Sequence, residues 1–340
     1  MSSLIQNCII KKNTTNVPIW IMRQAGRYLP EFRKIRKENP DFIELCLNKN
    51  LTPQITLQPL KRFDLDAAII FSDILMLPYA LNQKVEFKKG IGPILGDLEI
   101  EKLSDINEKE FYNKLKPVYE AINIVSKDKM LKNKDMIGFV GAPWTILVYM
   151  VYKKSPKEVK NINDLLFNKI KKDKIDILIS IIVKFLKMHI KNQVDNGATI
   201  IQIFDSWAGL VNGDFAMDNY IYKPTYELVD YAKKLGVPII CFPRGTKKYK
   251  EYCKIVKPDV ISIDYEIDPV VIAKEIDIPI QGGLDPKILL SDKDKLKKEV
   301  IKYLEIFKNH SYIFNLGHGI MPNTEPDMLD YLVKLVKDFK

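Results

Sequence analysis

The chain has 340 residues, of which 46% are hydrophobic, and its net charge is +10. A positive charge of this size invites nucleic acid or a membrane surface as a partner, but the lysines are scattered among acidic residues, as in residues 169–176. This alternation is typical of solvated helix faces, so we expect no nucleic-acid partner. The positive field would still attract an acidic small molecule.

The sequence also lacks the signals of membranes, secretion and metal binding. No apolar run reaches the roughly 18 residues of a membrane span, and residues 1–12 have no basic start followed by an apolar core. The four cysteines show no CxxC spacing, and there is no HExxH motif or Asp-x-Asp calcium loop. We therefore expect reduced thiols, no metal site, and a cytoplasmic protein without a membrane partner.

Eight short apolar segments alternate along the chain with segments long enough to form helices. They are Pro18–Met22, Ala67–Phe71, Met136–Val140, Thr199–Phe204, Val237–Phe242, Val260–Asp264, Ile278–Gln281 and Tyr312–Asn315. Because most are continuously apolar, they indicate strands buried on both faces, as in parallel sheets. The alternation predicts an α/β fold, a (β/α)8 TIM barrel, formed by one domain over residues 1–340. No GxGxxG or P-loop motif supports a doubly wound sheet instead.

The chemically distinctive residues follow these predicted strands, where barrel enzymes hold their reactive groups. In chain order they are Arg23 and Arg27, Ser72 and Asp73, residues 141–144, residues 205–207, residues 243–245, residues 282–286, and residues 317–319. Special residues after seven of eight predicted strands are hard to explain by packing alone.

Arginine is concentrated near the start of the chain. Only six of the 53 basic residues are arginine, and four of these six lie between residues 23 and 36. The planar guanidinium grips a carboxylate or phosphate through two parallel hydrogen bonds. The stretch therefore indicates either an anion-binding site or a structural cluster of ion pairs, and the count does not choose between them.

Asp73 lies between two apolar segments, so we expect a partly desolvated carboxyl. Such a group serves as an acid or base, or faces a developing cation, and the alternative is a helix N-cap formed by Ser72 or Asp73. Tyr149 lies one helical turn after the Trp144 loop, and its periodicity fits the core as well as the mouth of a barrel.

His318 stands between two glycines, which allow its backbone to approach a ligand closely. We expect a ligand-binding or proton-handling role for it. His189 lies in an apolar helical run and His310 in a polar turn, so both are expected to be structural.

Four motifs resemble those of the uroporphyrinogen decarboxylase family, over about Pro18 to Pro326. They are residues 22–32, 141–145, 204–209 and 315–320. The eleven-residue arginine motif is highly specific, whereas the glycine motifs alone are weak. The resemblance implies a (β/α)8 barrel, a homodimer whose active-site clefts face each other, and no metal or organic cofactor. It also implies that carbon dioxide is removed from the four acetate side chains of uroporphyrinogen III, giving coproporphyrinogen III.

The resemblance implies three catalytic residues, Asp73, Arg23 and Tyr149. It implies a substrate-binding set of Arg23, Gln24, Ala25, Gly26, Arg27, Asp73, Tyr149, Ser206 and His318. The arginines would grip carboxylates, the peptide of residues 24–26 would border the substrate, and Asp73 would face a pyrrolinium cation. Arg23, a water molecule or Tyr149 is the candidate proton donor.

Arg36 matches a third family arginine and is expected to shape a flexible lid. Two segments depart from the family pattern, namely residues 246–248 and the pair Gly282–Gly283. We expect these departures to alter loop packing only.

Three other classes remain open on sequence. A methyltransferase branch of the same superfamily acts with a corrinoid protein and zinc, and needs a thiolate-histidine metal set. A phosphate-binding barrel enzyme would use the glycine loops at 282–283 and 317–319. A non-enzymatic basic binder would show salt-sensitive affinity for nucleic acid and no role for Asp73.

Overall fold

The computed structural model describes residues 3–11, 16–88, 90–156, 159 and 170–339. Its strands are β1 (Ala67–Ile69), β2 (Val85–Lys88), β3 (Gly92–Leu95), β4 (Asp135–Gly141), β5 (Ile200–Asp205), β6 (Ile239–Pro243), β7 (Val260–Ile263), β8 (Ile280–Gly282) and β9 (Tyr312–Ile313). Seven of them form one parallel sheet in the order β1-β4-β5-β6-β7-β8-β9, and β2 pairs with β3 as an antiparallel hairpin.

Helices separate the strands of the parallel sheet. They span Leu4–Lys11, Pro30–Glu38, Phe42–Cys46, Leu51–Arg62, Met76–Ala80, Ile100–Leu103, Glu108–Ser126, Pro143–Tyr152, Lys172–Asp195, Asp214–Ala216, Lys223–Lys234, Tyr249–Val256, Pro269–Glu275, Lys293–Ile306 and Pro326–Asp338. A π-helical stretch, Met217–Tyr222, precedes the helix that starts at Lys223. Several helices begin with proline in the first turn, where its missing N–H costs nothing. None of the helices in the described ranges has the length and apolarity that a bilayer crossing requires.

The sheet is curled, as side-chain contacts across its interior show. Gln281 on β8 donates a hydrogen bond to Gln202 on β5 (3.1 Å) and another to Ser262 on β7 (3.2 Å), although β5 and β8 are not neighbours. Trp20 donates to Gln281 from the N-terminal segment (2.8 Å). All four side chains are fully buried, so the curl encloses a packed interior whose polar groups are hydrogen-bonded to one another.

The first predicted strand, at residues 18–22, forms a single parallel bridge between Ile19 and Phe314 rather than a regular strand. On one side, Phe314 N–H donates to the Pro18 carbonyl (2.8 Å). On the other, Asp66 N–H donates to the Ile19 carbonyl (2.8 Å), while Ile19 N–H donates to the Asp66 carboxylate (2.7 Å). Because a side chain takes the place of a backbone acceptor, the regular ladder stops there.

The other seven predicted strands are confirmed, with ends displaced by at most two residues. Parallel pairing through the whole sheet confirms the predicted α/β class. Continuous burial of β4 to β8 explains why these segments read as unbroken apolar runs. The β2–β3 hairpin was not predicted, because its strands are half-exposed and lack an apolar run.

Candidate active site

The loops that follow the strands meet at one end of the sheet, and we call residues 22–29, 71–75, 205–210, 243–246 and 317–320 the mouth loops. In the first of them, Arg23 adopts the left-handed backbone conformation with φ of 64°. This conformation is costly for a residue with a side chain and persists only where neighbours enforce it. Asn315 Oδ1 accepts from Met22 N–H (2.8 Å), and Met22 O accepts from Ile320 N–H (3.0 Å). These contacts hold the strained turn beside the last mouth loop.

Gln24 anchors the arginine loop rather than offering its side chain to a ligand. Its Oε1 accepts from Ile21 N–H (3.0 Å), and its Nε2 donates to the Ala67 carbonyl (2.9 Å). The side chain is fully buried, and the Gln24 carbonyl accepts from the Tyr28 hydroxyl (2.8 Å). Of this stretch, only the peptide of residues 24–26 is left to border a ligand, and that role stays a prediction.

The six arginines divide into two sets. Arg33 donates to the carbonyls of Arg27 and Tyr28 (2.9 Å each), Arg36 donates to Asn39 O (2.6 Å) over the Phe42 ring, and Arg62 pairs with Glu31. The other set comprises Arg23, Arg27 and Arg244. In the part of the chain that the structure describes, the guanidinium groups of this second set make no hydrogen bond or ion pair.

The arginine stretch divides, because Arg33 and Arg36 donate to backbone carbonyls and not to the acidic partners of an ion-pair cluster, while anion binding by Arg23 and Arg27 stays a prediction. Arg33 and Arg36 are structural, and Arg33 pins the backbone that carries Arg27. Arg23 and Arg27 are exposed and have guanidinium forks without a partner among the described residues. An unpaired guanidinium is available to bind a carboxylate or phosphate.

Asp73 lies in the second mouth loop and forms a turn, with its Oδ1 accepting from Leu75 N–H (2.9 Å). The following helix begins at Met76 with Leu75 as its N-cap, so the predicted N-cap alternative for Asp73 is wrong. Burial raises the pKa of the Asp73 carboxyl to about 6, although the Leu75 N–H and the Arg23 guanidinium both lower it. The carboxyl is thus desolvated, beside a cation, and ionised near neutral pH.

His318 lies within electrostatic reach of two cations, Arg23 and Arg244. Burial and, to a smaller extent, the positive charges of Arg23 and Arg244 lower the pKa of His318 to about 4, against a backbone hydrogen bond at Gly319 that raises it. At neutral pH the imidazole is therefore uncharged. A methyl group on Gly319 would lie 2.4 Å from Arg23 Cδ, so only glycine allows the arginine to cross the histidine loop this closely.

Tyr149 reaches the mouth from the helix that starts at Pro143. It is buried, its ring meets Trp207 edge to face at 5.9 Å, and its hydroxyl lies 3.4 Å from Ser155 Oγ. Burial raises the pKa of its hydroxyl; the Asp73 charge also raises it, and the Arg23 charge lowers it. Of the two placements left open by its periodicity, Tyr149 takes both, with a packed ring and a hydroxyl near the charged residues. Ser206, next to Trp207, is half-buried and its hydroxyl makes no hydrogen bond with the described residues.

Asp205 is a buried carboxyl at the mouth that the sequence patterns did not distinguish from its neighbours. Its Oδ1 accepts from the Thr145 hydroxyl (2.6 Å), while its Oδ2 is buried and has no hydrogen-bond partner among the described residues. Burial raises the pKa of Asp205 to about 7, against the hydrogen bonds from Thr145 and Trp207 N–H. Its position at the end of β5 was the available signal, but nothing in sequence announced its burial.

The structure thus brings four predicted residues into one electrostatic neighbourhood, namely Asp73, Arg23, Tyr149 and His318. Ser206 joins them through its neighbour Trp207, and Arg27 extends from the same loop as Arg23. Arg36 lies apart, over Phe42. His189, hydrogen-bonded to Tyr119 (3.0 Å), and His310, bonded to the Ile276 carbonyl (2.7 Å), are structural, as predicted.

The sequence profile of the family described as Uroporphyrinogen decarboxylase (URO-D) matches residues 2–339. The chain belongs to the uroporphyrinogen decarboxylase family. A relative from Orientia tsutsugamushi named "Uroporphyrinogen decarboxylase" is 41% identical, covering 100% of this chain and 99% of its own. One of the same name from Rickettsia felis is 38% identical, covering 96% and 95%.

Among solved structures, a methyltransferase from Methanosarcina mazei matches with a TM-score of 0.78 and 16% identity, over 98% of this chain and 97% of its own. This likeness concerns the fold alone. The rival methyltransferase class requires a thiolate-histidine set, and the described residues include no group of three His, Cys, Asp or Glu side chains that could hold a metal ion. Burial raises the pKa of the Cys241 thiol, which keeps it uncharged.

Proposed function

We propose that this member of the uroporphyrinogen decarboxylase family removes carbon dioxide from the four acetate side chains of uroporphyrinogen III, leaving methyl groups and giving coproporphyrinogen III. The observation that carries the proposal is the desolvated Asp73 carboxylate beside the Arg23 guanidinium, which has no hydrogen bond or ion pair with the described residues. Uroporphyrinogen has eight carboxylates, which require cations, and its reaction generates a ring cation, which requires a carboxylate.

Binding begins with the arginines. Arg23 and Arg27 grip side-chain carboxylates, while the peptide of residues 24–26 borders the macrocycle. The uncharged His318 imidazole, the Ser206 hydroxyl and the Tyr149 hydroxyl hydrogen-bond further carboxylates. Because these groups are held by the fold before the substrate arrives, little reorganisation is needed on binding.

The substrate supplies its own electron sink. A proton adds to a pyrrole carbon, so that the ring becomes a pyrrolinium cation. The bond between the acetate methylene and its carboxylate then breaks, its electron pair moves into the ring, and carbon dioxide leaves. A second proton converts the exocyclic methylene to a methyl group, and loss of the first proton restores the pyrrole.

Asp73 is proposed to face the ring N–H groups and to stabilise both cationic stages. A carboxylate in a dry, preorganised site stabilises a nearby cation far more than one in water does. Arg23 has two roles in the proposal, since it grips a carboxylate and holds Asp73 ionised by lowering its pKa. Protons reach the ring through Arg23, Tyr149 or a water molecule.

We further propose that the curled sheet closes as an eight-stranded (β/α)8 barrel, with residues 18–22 as the eighth member. The hydrogen bonds from Phe314 N–H to Pro18 O and from Asp66 N–H to Ile19 O support this closure. Residues 1–340 then form a single domain. The family resemblance supports a cytoplasmic homodimer with facing clefts.

Anaerobic incubation of the purified protein with uroporphyrinogen III tests the function directly. Products separated by carboxylate number are expected to appear stepwise, with seven, six, five and finally four carboxylates. A folded protein that leaves the octacarboxylate unchanged would overturn the assignment. Salt-sensitive binding of nucleic acid by such an inactive protein would favour the basic binder instead.

The acid limb of the pH profile of kcat/KM is expected to reflect the ionisation of the Asp73 carboxyl. Because the ionised carboxylate is the active form and its pKa is raised to about 6, kcat/KM should fall as the pH drops through about 6. A carboxylate of ordinary pKa would keep the activity to about pH 4. The measurement is the initial rate at low substrate across pH 4.5–8, with protein stability checked at each pH. A flat profile down to pH 5 would contradict the role of Asp73.

A further inference from the structure

Arg244 is the third arginine whose guanidinium has no partner in the described part of the chain. It follows β6 and is half-buried, and none of the motifs that resemble the family includes it. The mechanism proposed above does not use it. A half-buried cation without a carboxylate partner is costly, because burial removes hydration that no protein group replaces.

The main chain of Arg244 is fixed on both sides. Its N–H donates to the carbonyls of Asp205 (3.0 Å) and Phe242 (3.1 Å), and its carbonyl accepts from Gly209 N–H (2.9 Å). The next residue, Gly245, donates its N–H to the Asp264 carboxylate (2.7 Å). The guanidinium therefore extends from a rigid base, as a preorganised binding group requires.

Two glycines bring the loop of Arg244 against the loop of Ser206. A methyl group on Gly209 would lie 2.5 Å from the Gly245 carbonyl carbon and oxygen, so the two loops touch backbone to backbone. No side chain fits between them. Arg244 and Ser206 are consequently carried by one interlocked unit of the mouth.

A second close approach links Arg244 to His318. A methyl group on Gly317 would lie 2.4 Å from Tyr265 N and 2.8 Å from the Asp264 carbonyl carbon, and Asp264 also binds Gly245 N–H. Arg244 and Arg23 both act on His318, and both lower its pKa. Two guanidinium groups without an ion pair among the described residues therefore act on one uncharged imidazole, and an anion bound between them would lower their mutual repulsion.

We propose that Arg244 is a third carboxylate-binding arginine, which grips a side-chain carboxylate of the substrate beside His318 and so fixes the rotation of the macrocycle. This inference rests on the proposed function. Eight carboxylates surround the ring, and each of four rounds must present a different acetate to Asp73. Arg23 and Arg27 hold the ring from one loop, and an anchor on a separate, rigid loop is needed to fix its orientation.

The test compares Arg244→Gln and Arg244→Lys with Lys247→Gln, which removes the same charge from an exposed residue on the adjoining segment. Loss of a charge-assisted fork is expected to raise the KM for uroporphyrinogen roughly 10- to 100-fold for Arg244→Gln. The kcat should stay within about threefold, since a uniform binding contact is lost. The KM of Arg244→Lys should lie between those of the parent and Arg244→Gln. The KM of Lys247→Gln should match that of the parent, because an exposed charge is screened.

Two readouts are independent of turnover. Quenching of uroporphyrin III fluorescence measures the Kd of an octacarboxylate. In Arg244→Gln this Kd should rise in parallel with KM. Proton NMR titration of the three histidines measures the pKa of His318, assigned with His318→Gln. Removing the Arg244 charge should raise that pKa, whereas Lys247→Gln should not move it.

Each outcome decides between the proposals. If Arg244→Gln keeps the Kd and KM of the parent, the role of Arg244 is overturned, whether or not the pKa of His318 shifts. A parent that binds uroporphyrin tightly and releases no product overturns the decarboxylase, while weaker binding in Arg244→Gln still supports the carboxylate anchor. A parent that binds no octacarboxylate overturns both. If thermal melting shows Arg244→Gln to be unfolded, Arg244→Lys carries the test, with weaker binding still expected.

Discussion

Asp73→Asn is expected to lower kcat roughly 100- to 1000-fold, because one preorganised electrostatic partner of a transition state contributes about 2.7–4 kcal/mol. Asparagine keeps the volume of the side chain, and its Oδ1 still accepts from Leu75 N–H, so the turn survives. Only the negative charge is removed. The measurement is the single-turnover rate of anaerobic decarboxylation at saturating uroporphyrinogen.

The chain offers a matched control for this change. Asp128 makes the same kind of turn, with Oδ1 accepting from Met130 N–H (2.8 Å), but it lies before β4, at the opposite end of the strand from the mouth. Asp128→Asn should keep the parent rate. Because burial raises the pKa of Asp73, the charged form is disfavoured in the fold, and Asp73→Asn should not lower the melting temperature. Equal rates for parent and Asp73→Asn would remove Asp73 as the group that stabilises the cation.

Arg23→Gln is expected to have the second large effect, with kcat/KM reduced roughly 100-fold or more. Loss of a charge-assisted pair to the substrate accounts for about 1.5–3 kcal/mol. A second loss follows, because the Arg23 charge lowers the pKa of Asp73. Without it, the acid limb of the rate profile should move to higher pH, so that the defect is larger at pH 6 than at pH 8.

The pH dependence separates these two roles. Arg62→Gln is the control, since Arg62 pairs with Glu31 at the surface and exposed pairs contribute about 1 kcal/mol or less. Arg62→Gln should leave both kcat/KM and the pH midpoint of the acid limb unchanged. A reduced kcat/KM with an unmoved acid limb would mean that Arg23 only binds substrate. An unchanged kcat/KM would exclude Arg23 from the site.

Asp205 shows why position in sequence was insufficient to rank the mouth residues. Asp73 and Asp205 both follow apolar strands, and burial raises the pKa of both. Asp205 is fully buried and presents no oxygen to the open mouth. One carboxylate oxygen accepts from Thr145, and the other is enclosed by the protein. Asp73 is largely buried but keeps a partly exposed surface beside Arg23, and so remains accessible to a ligand. Solvent access, which decides between them, is a property of the packed loops.

The sequence by itself determined the α/β class, the order of seven parallel strands and the family. These follow from local causes, since a strand buried on both faces must be continuously apolar, and the arginine motif is read residue by residue. The sequence also placed the candidate site residues at strand ends, because parallel strands bring their carboxyl ends to one edge.

Only the tertiary structure decided which residues of each set are free to act. Arg33 and Arg23 belong to one arginine-rich stretch, yet Arg33 donates to two backbone carbonyls while Arg23 is left without a partner among the described residues. Arg244 lies more than 200 residues from Arg23, and the two converge on His318 through glycine contacts between loops. Hydrogen-bond partners, solvent access and pKa depend on groups distant in sequence, so they are fixed only when the loops pack.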